Sequence, residues 1–243
     1  MEPSRTPPVP LVQAIFTALR ARTGSDVPGS TWYRRPMARP RFQQLPRERR
    51  EEILGVAAAE FARSGFHGTS YNQLLERLQL GKSSAYYYFE DKRDLFLTVL
   101  QRCYAAYFAV IKQLEPPTSA DGYWAHLHRT TVLGYGFMLE DPTAAHLMQC
   151  MQREKALLGE LVSSELLASM QDSYEEMIRN GQRLGAIRSD MPQSLLVDTV
   201  RDVAMTFDRW FITERSHGGD APTPEHAATM YTDVVRRICA PVS

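Results

Sequence analysis

The sequence predicts an all-α protein: a small N-terminal helix-turn-helix domain is joined by a long fourth helix to a larger C-terminal helical domain. Three observations support this fold class. From Pro46 onward, apolar residues recur at helical spacing almost throughout. Proline, glycine and Asp-Pro breakers fall between these stretches. No stretch alternates polar and apolar residues as a half-buried strand does. Residues 46–107 are therefore assigned to the first domain and residues 108–243 to the second.

The first 40 residues differ in composition from the rest of the chain. They hold seven of the fifteen prolines, together with several glycines and serines. We expect residues 1–40 to be a disordered extension, because such a segment has little apolar surface to bury. Met37 begins a short basic lead into the first helix, and we hypothesise that residues 1–36 precede the natural start.

The first two predicted helices are short and amphipathic. Ile53, Ala57 and Phe61 form an apolar stripe at helical spacing, and Gly65 ends this first helix. The second helix begins at Thr69 or Ser70, where Ser70 and Gln73 fit a capping box. Its buried side is formed by three leucines, Leu74, Leu75 and Leu78.

The third helix, at about 82–89, has two faces of different chemistry. Ala85 and Phe89 are four residues apart and can face the core, whereas Lys82, Ser83 and other polar residues face outward. Asp91 caps a fourth helix that reaches about residue 114, before a proline pair. The remaining helices are predicted at 119–139, 142–158, 160–184, 192–215 and 223–238.

Two helices joined by a tight turn, the second exposed and polar, are typical of a helix-turn-helix that places one helix in the DNA major groove. The zero net charge of the chain, taken alone, argues against this interpretation. However, residues 34–103 carry 13 Lys and Arg against 8 Asp and Glu, whereas residues 104–243 carry 12 against 18. The front half is therefore the part suited to phosphate.

The ordered set of residues over 47–107 resembles the DNA-binding domain of the TetR family of transcription regulators. The residues that carry the resemblance are Phe61, Gly65, Phe66, Thr69, Leu74, Leu80, Lys82, the run Tyr86–Tyr87–Tyr88–Phe89, Lys92, Leu95 and Phe96. The chain departs from the family pattern in the turn and the third helix, at Leu78, Gln79, Gly81, Ser83 and Ala85. These departures bear on the operator sequence more than on the fold.

The resemblance implies a transcription regulator, a ligand-responsive repressor that binds a palindromic operator in double-stranded DNA as a homodimer. We expect its DNA-binding residues to be Thr69, Ser70, Lys82, Ser83, Ser84, Tyr86, Tyr87, Tyr88 and Lys92. Serine hydroxyls can bond any base edge, and lysine can donate to guanine or phosphate. Arg39 and Arg41 in the lead-in can add further contacts.

By the same resemblance, the C-terminal domain holds an effector pocket and the dimer interface. Methionine and aromatic side chains suit a deformable pocket for a small apolar or aromatic effector. The candidate pocket residues are Trp124, Tyr135, Met138, Met151, Tyr174, Met177 and Phe207. The last two helices are expected to pair with their copies through Leu196, Val203, Trp210, Phe211, Met230 and Val234.

The sequence gives no sign of catalysis or of a cofactor. No nucleophile, P-loop, dinucleotide or HExxH signature is present, and the histidines and the three cysteines lack metal-ligand spacing. We therefore expect no enzyme activity, no cofactor, no metal and no membrane partner, in a cytoplasmic protein. Two alternatives stay open: a helical small-molecule-binding protein, and a DNA-bound regulator controlled by a protein partner.

Overall fold

A computed structural model describes residues 38–111, 114–153, 164–216 and 221–242, and these residues form ten α-helices. The helices are α1 (Pro40–Gln43), α2 (Arg47–Gly68), α3 (Tyr71–Arg77), α4 (Lys82–Tyr88), α5 (Lys92–Ile111), α6 (Ala120–Glu140), α7 (Pro142–Arg153), α8 (Ser164–Arg183), α9 (Gln193–Ser216) and α10 (Pro224–Cys239). The all-α prediction is confirmed. The division at residue 107/108 stays a prediction, and it falls within α5.

The prediction that residues 1–40 are disordered is wrong for residues 38–40. Residues 1–37 lie outside the described residues, but Ala38 is buried and Pro40 begins α1. Proline suits this first helical position because its fixed φ is helical and it lacks an N–H that would otherwise have no partner. Phe42 is also buried, and its ring centroid lies 4.8 Å from that of Phe89. These apolar contacts, which the composition obscured, therefore anchor the first described residues to the core.

We call helices α1–α5 the head. They pack around one apolar core, the head-side core, which side chains of α6, α7, α9 and α10 also join. Phe61, Phe66 and Phe96 contact one another, with the Phe61 and Phe96 centroids 5.0 Å apart. Each such fully buried side chain contributes about 1.5–3 kcal/mol to folding. Gly65 interrupts α2 with φ +69°, where the sequence predicted the helix to end. Glycine adopts this left-handed conformation without a Cβ clash.

The remaining helices pack beside the head and against one another. Helix α2 packs extensively on α7 as well as on α5, and α6 packs along α10. A second apolar core lies among α6, α8, α9 and α10 and includes Tyr123, Ile178, Leu196 and Val235. Phe207 packs against both cores. The head is therefore in direct contact with the C-terminal helices, and α5 is not its only link to them.

Helix termini confirm some of the predicted caps and contradict one. Gly81 occupies the extended cap position before α4. The Ser70 side chain makes no capping hydrogen bond, so the predicted capping box at α3 is wrong. A related arrangement occurs at α5, where the Asp94 N–H donates to Asp91 Oδ1, and Asp94 Oδ2 accepts from the N–H of Glu90, the residue before the cap. Among the described helices, none is long and apolar enough to cross a membrane.

Candidate nucleic-acid interface

Helix α4 presents the two faces that the sequence predicts. Ala85 and Phe89 are 0% exposed and pack on the head core. Lys82, Ser83 and Ser84 are exposed on the opposite side. Because these three side chains are short or flexible and carry hydrogen-bonding groups, the helix can approach the base edges in a major groove.

The three consecutive tyrosines divide between surface and core. Tyr86 and Tyr87 are each 54% exposed, whereas Tyr88 is half-buried and packs on the core beside Phe42. Tyr86 and Tyr87 thus have phenol groups near the end of α4 where they can meet a phosphate. Tyr88 is placed mainly for packing. The half-buried Tyr71 lies near Tyr86, and burial raises the pKa of the Tyr71 phenol to about 12.

Thr69 faces inward, contrary to the predicted DNA contact. It is 1% exposed, and its hydroxyl donates to the Gly65 carbonyl at 2.7 Å. This bond satisfies a carbonyl next to the α2 kink, where no helical partner is available. Of the two residues predicted at the start of the second helix, only Ser70 is exposed.

Lys92 also has a structural role that the sequence interpretation did not give it. Its Nζ donates to the Phe66 carbonyl at 2.8 Å and to the Thr69 carbonyl at 2.9 Å. The same ammonium lies 4.4 Å from the centroid of the Phe66 ring. Its charge therefore stabilises the end of α2, where the helix dipole favours a cation, and the geometry does not support a primary role as a phosphate contact.

Two arginines likewise donate to backbone carbonyls at the ends of α3 and α4. Arg49 Nη2 donates to the Leu78 carbonyl at 2.8 Å, at the end of α3. Arg39 Nη1 donates to the Tyr86 carbonyl at 2.8 Å, in the last turn of α4. Each of α2, α3 and α4 thus ends on a cation supplied by another element. Sequence reasoning missed this pattern because a basic residue looks the same whether it faces phosphate or a carbonyl.

A buried carboxylate forms further ion pairs within the head. Glu60, on α2, pairs with Arg63 on the same helix and with Arg77 on α3, the latter at 2.6 Å. On the far side of α2, Arg102 on α5 pairs with Glu51 at 2.7 Å. Charged side chains therefore link α2 to both neighbouring helices.

The turn between α3 and α4 explains one departure from the family pattern. Gln79 stands where the resemblance leads one to expect glycine, and it adopts φ +53°. A left-handed conformation costs a residue with a Cβ about 1–2 kcal/mol. The turn keeps its shape because Leu78 is buried and the Leu80 N–H donates to the Leu75 carbonyl.

The candidate pocket residues are divided between the two cores. Tyr135 and Met138 belong to the head-side core, and Trp124 belongs to the second core, which Tyr174 and Met177 pack against. Phe207 contacts both cores, so among the candidates whose side chains are described it connects the two groups. The Met151 side chain lies outside the described residues. Burial raises the pKa of the Tyr174 phenol, and the nearby Asp208 carboxylate raises it further.

The predicted dimer residues also fall into two groups. Leu196 and Phe211 are fully buried within the subunit, so they cannot form a surface for a second copy, and their assignment to the interface is wrong. Both face inward because they lie on the side of α9 that packs on the cores. The other four, Val203, Trp210, Met230 and Val234, are half-buried on α9 and α10.

Titratable groups do not assemble into a metal site in the part of the chain that the structure describes. No group of three or more His, Cys, Asp or Glu side chains there could hold an ion. Cys103 and Cys239 are buried free thiols, and Cys150 is a half-buried one.

Comparison with known proteins identifies relatives of the head and of most of the chain. Residues 53–99 match the family described as "Bacterial regulatory proteins, tetR family". The HTH-type transcriptional repressor AcnR of Corynebacterium diphtheriae is 22% identical over 188 residues, covering 77% of this chain and 92% of the relative. The HTH-type transcriptional activator FasR of Mycolicibacterium smegmatis is 36% identical over 63 residues, covering 26% of this chain and 29% of the relative.

A solved structure supports the fold over most of the chain. A TetR family transcriptional regulator from Chloroflexus aurantiacus superposes with a TM-score of 0.61 at 21% identity. The match covers 85% of this chain and 100% of that chain. The matched residues 53–99 extend from α2 into α5, and so contain all of α3 and α4.

Proposed function

We propose that this chain, which belongs to the tetR family of bacterial regulatory proteins, binds operator DNA as a homodimer and represses transcription. It is a helix-turn-helix transcription regulator, and its cited relatives are named as regulators rather than enzymes. The observation that carries the proposal is the outer face of α4. Lys82, Ser83 and Ser84 are exposed there, while Ala85 and Phe89 fix the opposite face to the core.

The contacts that we assign differ in kind along α4. Lys82, Ser83 and Ser84, at the start of the helix, are placed to reach base edges, because the N-terminal residues of a recognition helix enter the groove. Tyr86 and Tyr87, near its end, are placed to bond phosphate oxygens. Thr69 and Lys92 instead bond carbonyls at the end of α2, so we assign them no DNA contact.

A homodimer is supported by the apolar side chains that remain half-exposed on the last two helices. Val203 and Trp210 lie on α9, and Met230 and Val234 lie on α10. A two-fold dimer through this surface would present two copies of α4 and would match a palindromic site. Analytical ultracentrifugation of Met230→Asp and Val234→Asp tests the surface, and two variants that remain dimeric would exclude it.

Repression is the sign of regulation that the relatives favour. AcnR, named a repressor, aligns over 92% of its length, whereas FasR, named an activator, aligns over only 29%. We further propose that a small apolar or aromatic effector binds among the C-terminal helices near Phe207. Because α7 packs directly on α2, a ligand that shifts α7 would reorient the head.

Selection of bound duplexes from a random pool, at a stated salt concentration, tests DNA binding. The wild-type protein should enrich a palindromic sequence. Lys82→Ala with Tyr87→Ala should abolish enrichment, whereas Arg183→Ala, at an exposed position on α8, should not. Failure of the wild-type protein to enrich any sequence would favour the helical small-molecule-binding alternative.

The effector mechanism requires a separate experiment. Small-angle scattering and crosslinking should show a changed separation of the two heads when an effector releases the DNA. Release at an unchanged separation would contradict the reorientation mechanism and would leave the assignment of DNA binding intact.

A further inference from the structure

We propose that residues 38–45, which precede the helix-turn-helix, are a second part of the DNA-binding surface. In this segment Arg41 contacts a phosphate, and Arg39 is a positioning residue for the recognition helix α4. The inference rests on the proposed function, because it assigns further residues to the same DNA interface.

The segment is fixed to the head. Ala38 and Phe42 are buried, and the Phe42 ring lies against Phe89. On the other side, Arg50 Nη1 donates to the Gln43 carbonyl at 3.0 Å. Two buried side chains and a backbone anchor hold the polar residues between them at defined places beside α4.

Arg39 faces the backbone of α4. Its side chain donates to the Tyr86 carbonyl at 2.8 Å, and its own N–H donates to the Tyr88 carbonyl at 3.0 Å. These carbonyls lie in the last turn of α4, where intrahelical partners are missing. A single residue thus satisfies two of them and fixes the end of the helix that the DNA would meet.

Arg41 faces the opposite way, toward solvent. Its guanidinium carbon lies 4.5 Å from the centroid of the Tyr87 ring, and the ring itself is 54% exposed. A guanidinium stacked on an aromatic ring keeps its edge N–H groups available for a bidentate bond. Within the part of the chain that the structure describes, no hydrogen bond or ion pair of Arg41 competes for those groups.

The position of the pair favours a phosphate over a base as the ligand. Arg41 stacks on a residue in the last turn of α4, whereas the first turn is the part that enters the groove. A cation beside the end of the recognition helix lies toward the rim of the groove, where the DNA backbone runs. Guanidinium groups bind phosphate through two parallel hydrogen bonds.

The dependence of DNA affinity on salt separates the two arginines. A phosphate contact adds about 0.9 to the slope of log affinity against log salt, so Arg41→Gln in both subunits should lower it by about 1.8. Between about 50 and 200 mM salt, the ratio of wild-type to variant affinity should then fall about twelvefold. The duplex recovered by selection and a random-sequence duplex should both show the change, and the thermal midpoint should not move.

Arg39→Gln is the matched control on the same segment. It should leave the salt slope unchanged, weaken binding to the selected duplex, and speed hydrogen exchange of the α4 amides. Arg39→Lys should restore part of the lost affinity, because lysine can still donate to the Tyr86 carbonyl. The proposal is overturned if Arg41→Gln leaves the slope unchanged, or if Arg39→Gln lowers it equally. Wild-type protein that binds neither duplex would instead refute the proposed function and, with it, this inference.

Discussion

Replacement of Lys92 by methionine distinguishes a structural cation from a phosphate contact. Methionine retains an unbranched apolar side chain of similar length, while the ammonium is lost. In the structure this ammonium donates to two backbone carbonyls, those of Phe66 and Thr69. Both carbonyls lie at the end of α2, just before α3, so the substitution leaves them without this charged donor.

The size of the effect follows from those contacts. A hydrogen bond to a charged group contributes about 1.5–3 kcal/mol. The side chain of Lys92 is half-buried, so water can partly replace each bond. We therefore expect Lys92→Met to lower the free energy of unfolding by about 2–4 kcal/mol. For a chain of this size, that loss corresponds to a fall in the thermal midpoint of about 4–16 °C.

The assay is thermal unfolding followed by circular dichroism, together with DNA affinity at several salt concentrations. Lys82→Met is the matched control, because Lys82 lies exposed on the outer face of α4. We expect the control to lose DNA affinity at an unchanged midpoint. If Lys92→Met instead leaves the midpoint unchanged and reduces the salt slope by about one per contact, Lys92 binds phosphate and the structural assignment is refuted.

Four further predictions concern stability. Glu60→Gln should cost about 1 kcal/mol, because it weakens the ion pairs of a buried carboxylate with two arginines whose side chains are more than half exposed, as chemical denaturation will measure. Gly55→Ala should stabilise α2 by about 0.5–1 kcal/mol, since open space surrounds its Cβ position. Gly181→Ala should instead destabilise the protein by about 1–3 kcal/mol, because a Cβ there would lie 2.7 Å from an isoleucine and 2.9 Å from a tyrosine. Gln79→Gly should raise stability by up to about 1 kcal/mol through relief of its positive φ, and an unchanged midpoint would count against strain in the turn. Burial raises the pKa of the Cys103 thiol from 9.0 to about 12, so the folded state holds a proton that the unfolded state loses; stability should fall as pH rises above 9.0, and less steeply in Cys103→Ala.

The fold was predictable because helical periodicity and breakers are local signals. Ala85 and Phe89, four residues apart, identified the buried face of α4, and both are fully buried. Gly65 marked the interruption of α2, where its φ is +69°. Such features depend on residues within one or two turns of each other, which the sequence displays directly.

The roles of charged and long-range residues were not predictable in the same way. Lys92 was interpreted as a phosphate contact, yet its partners are carbonyls 23 and 26 positions away along the chain. Arg39 bonds a carbonyl 47 positions away. Periodicity also placed Leu196 and Phe211 on one apolar face, but it could not show whether that face meets the same subunit or a second copy.

Helix α2 is where these long-range contacts converge. Glu60 on α2 forms an ion pair with α3, and α5 contributes an ion pair through Arg102 and a hydrogen bond through Lys92. The other side of α2 packs on α7. These ion pairs and hydrogen bonds make the head resist internal rearrangement, so a shift of α7 should move α2, α3 and α4 together. We therefore expect an effector to change the orientation of the recognition helix relative to its copy while its contacts with α2 and α3 are retained. Glu60→Gln and Lys92→Met, which weaken these interactions, should then reduce the effect of the effector on DNA affinity. They should also lower the stability of the head.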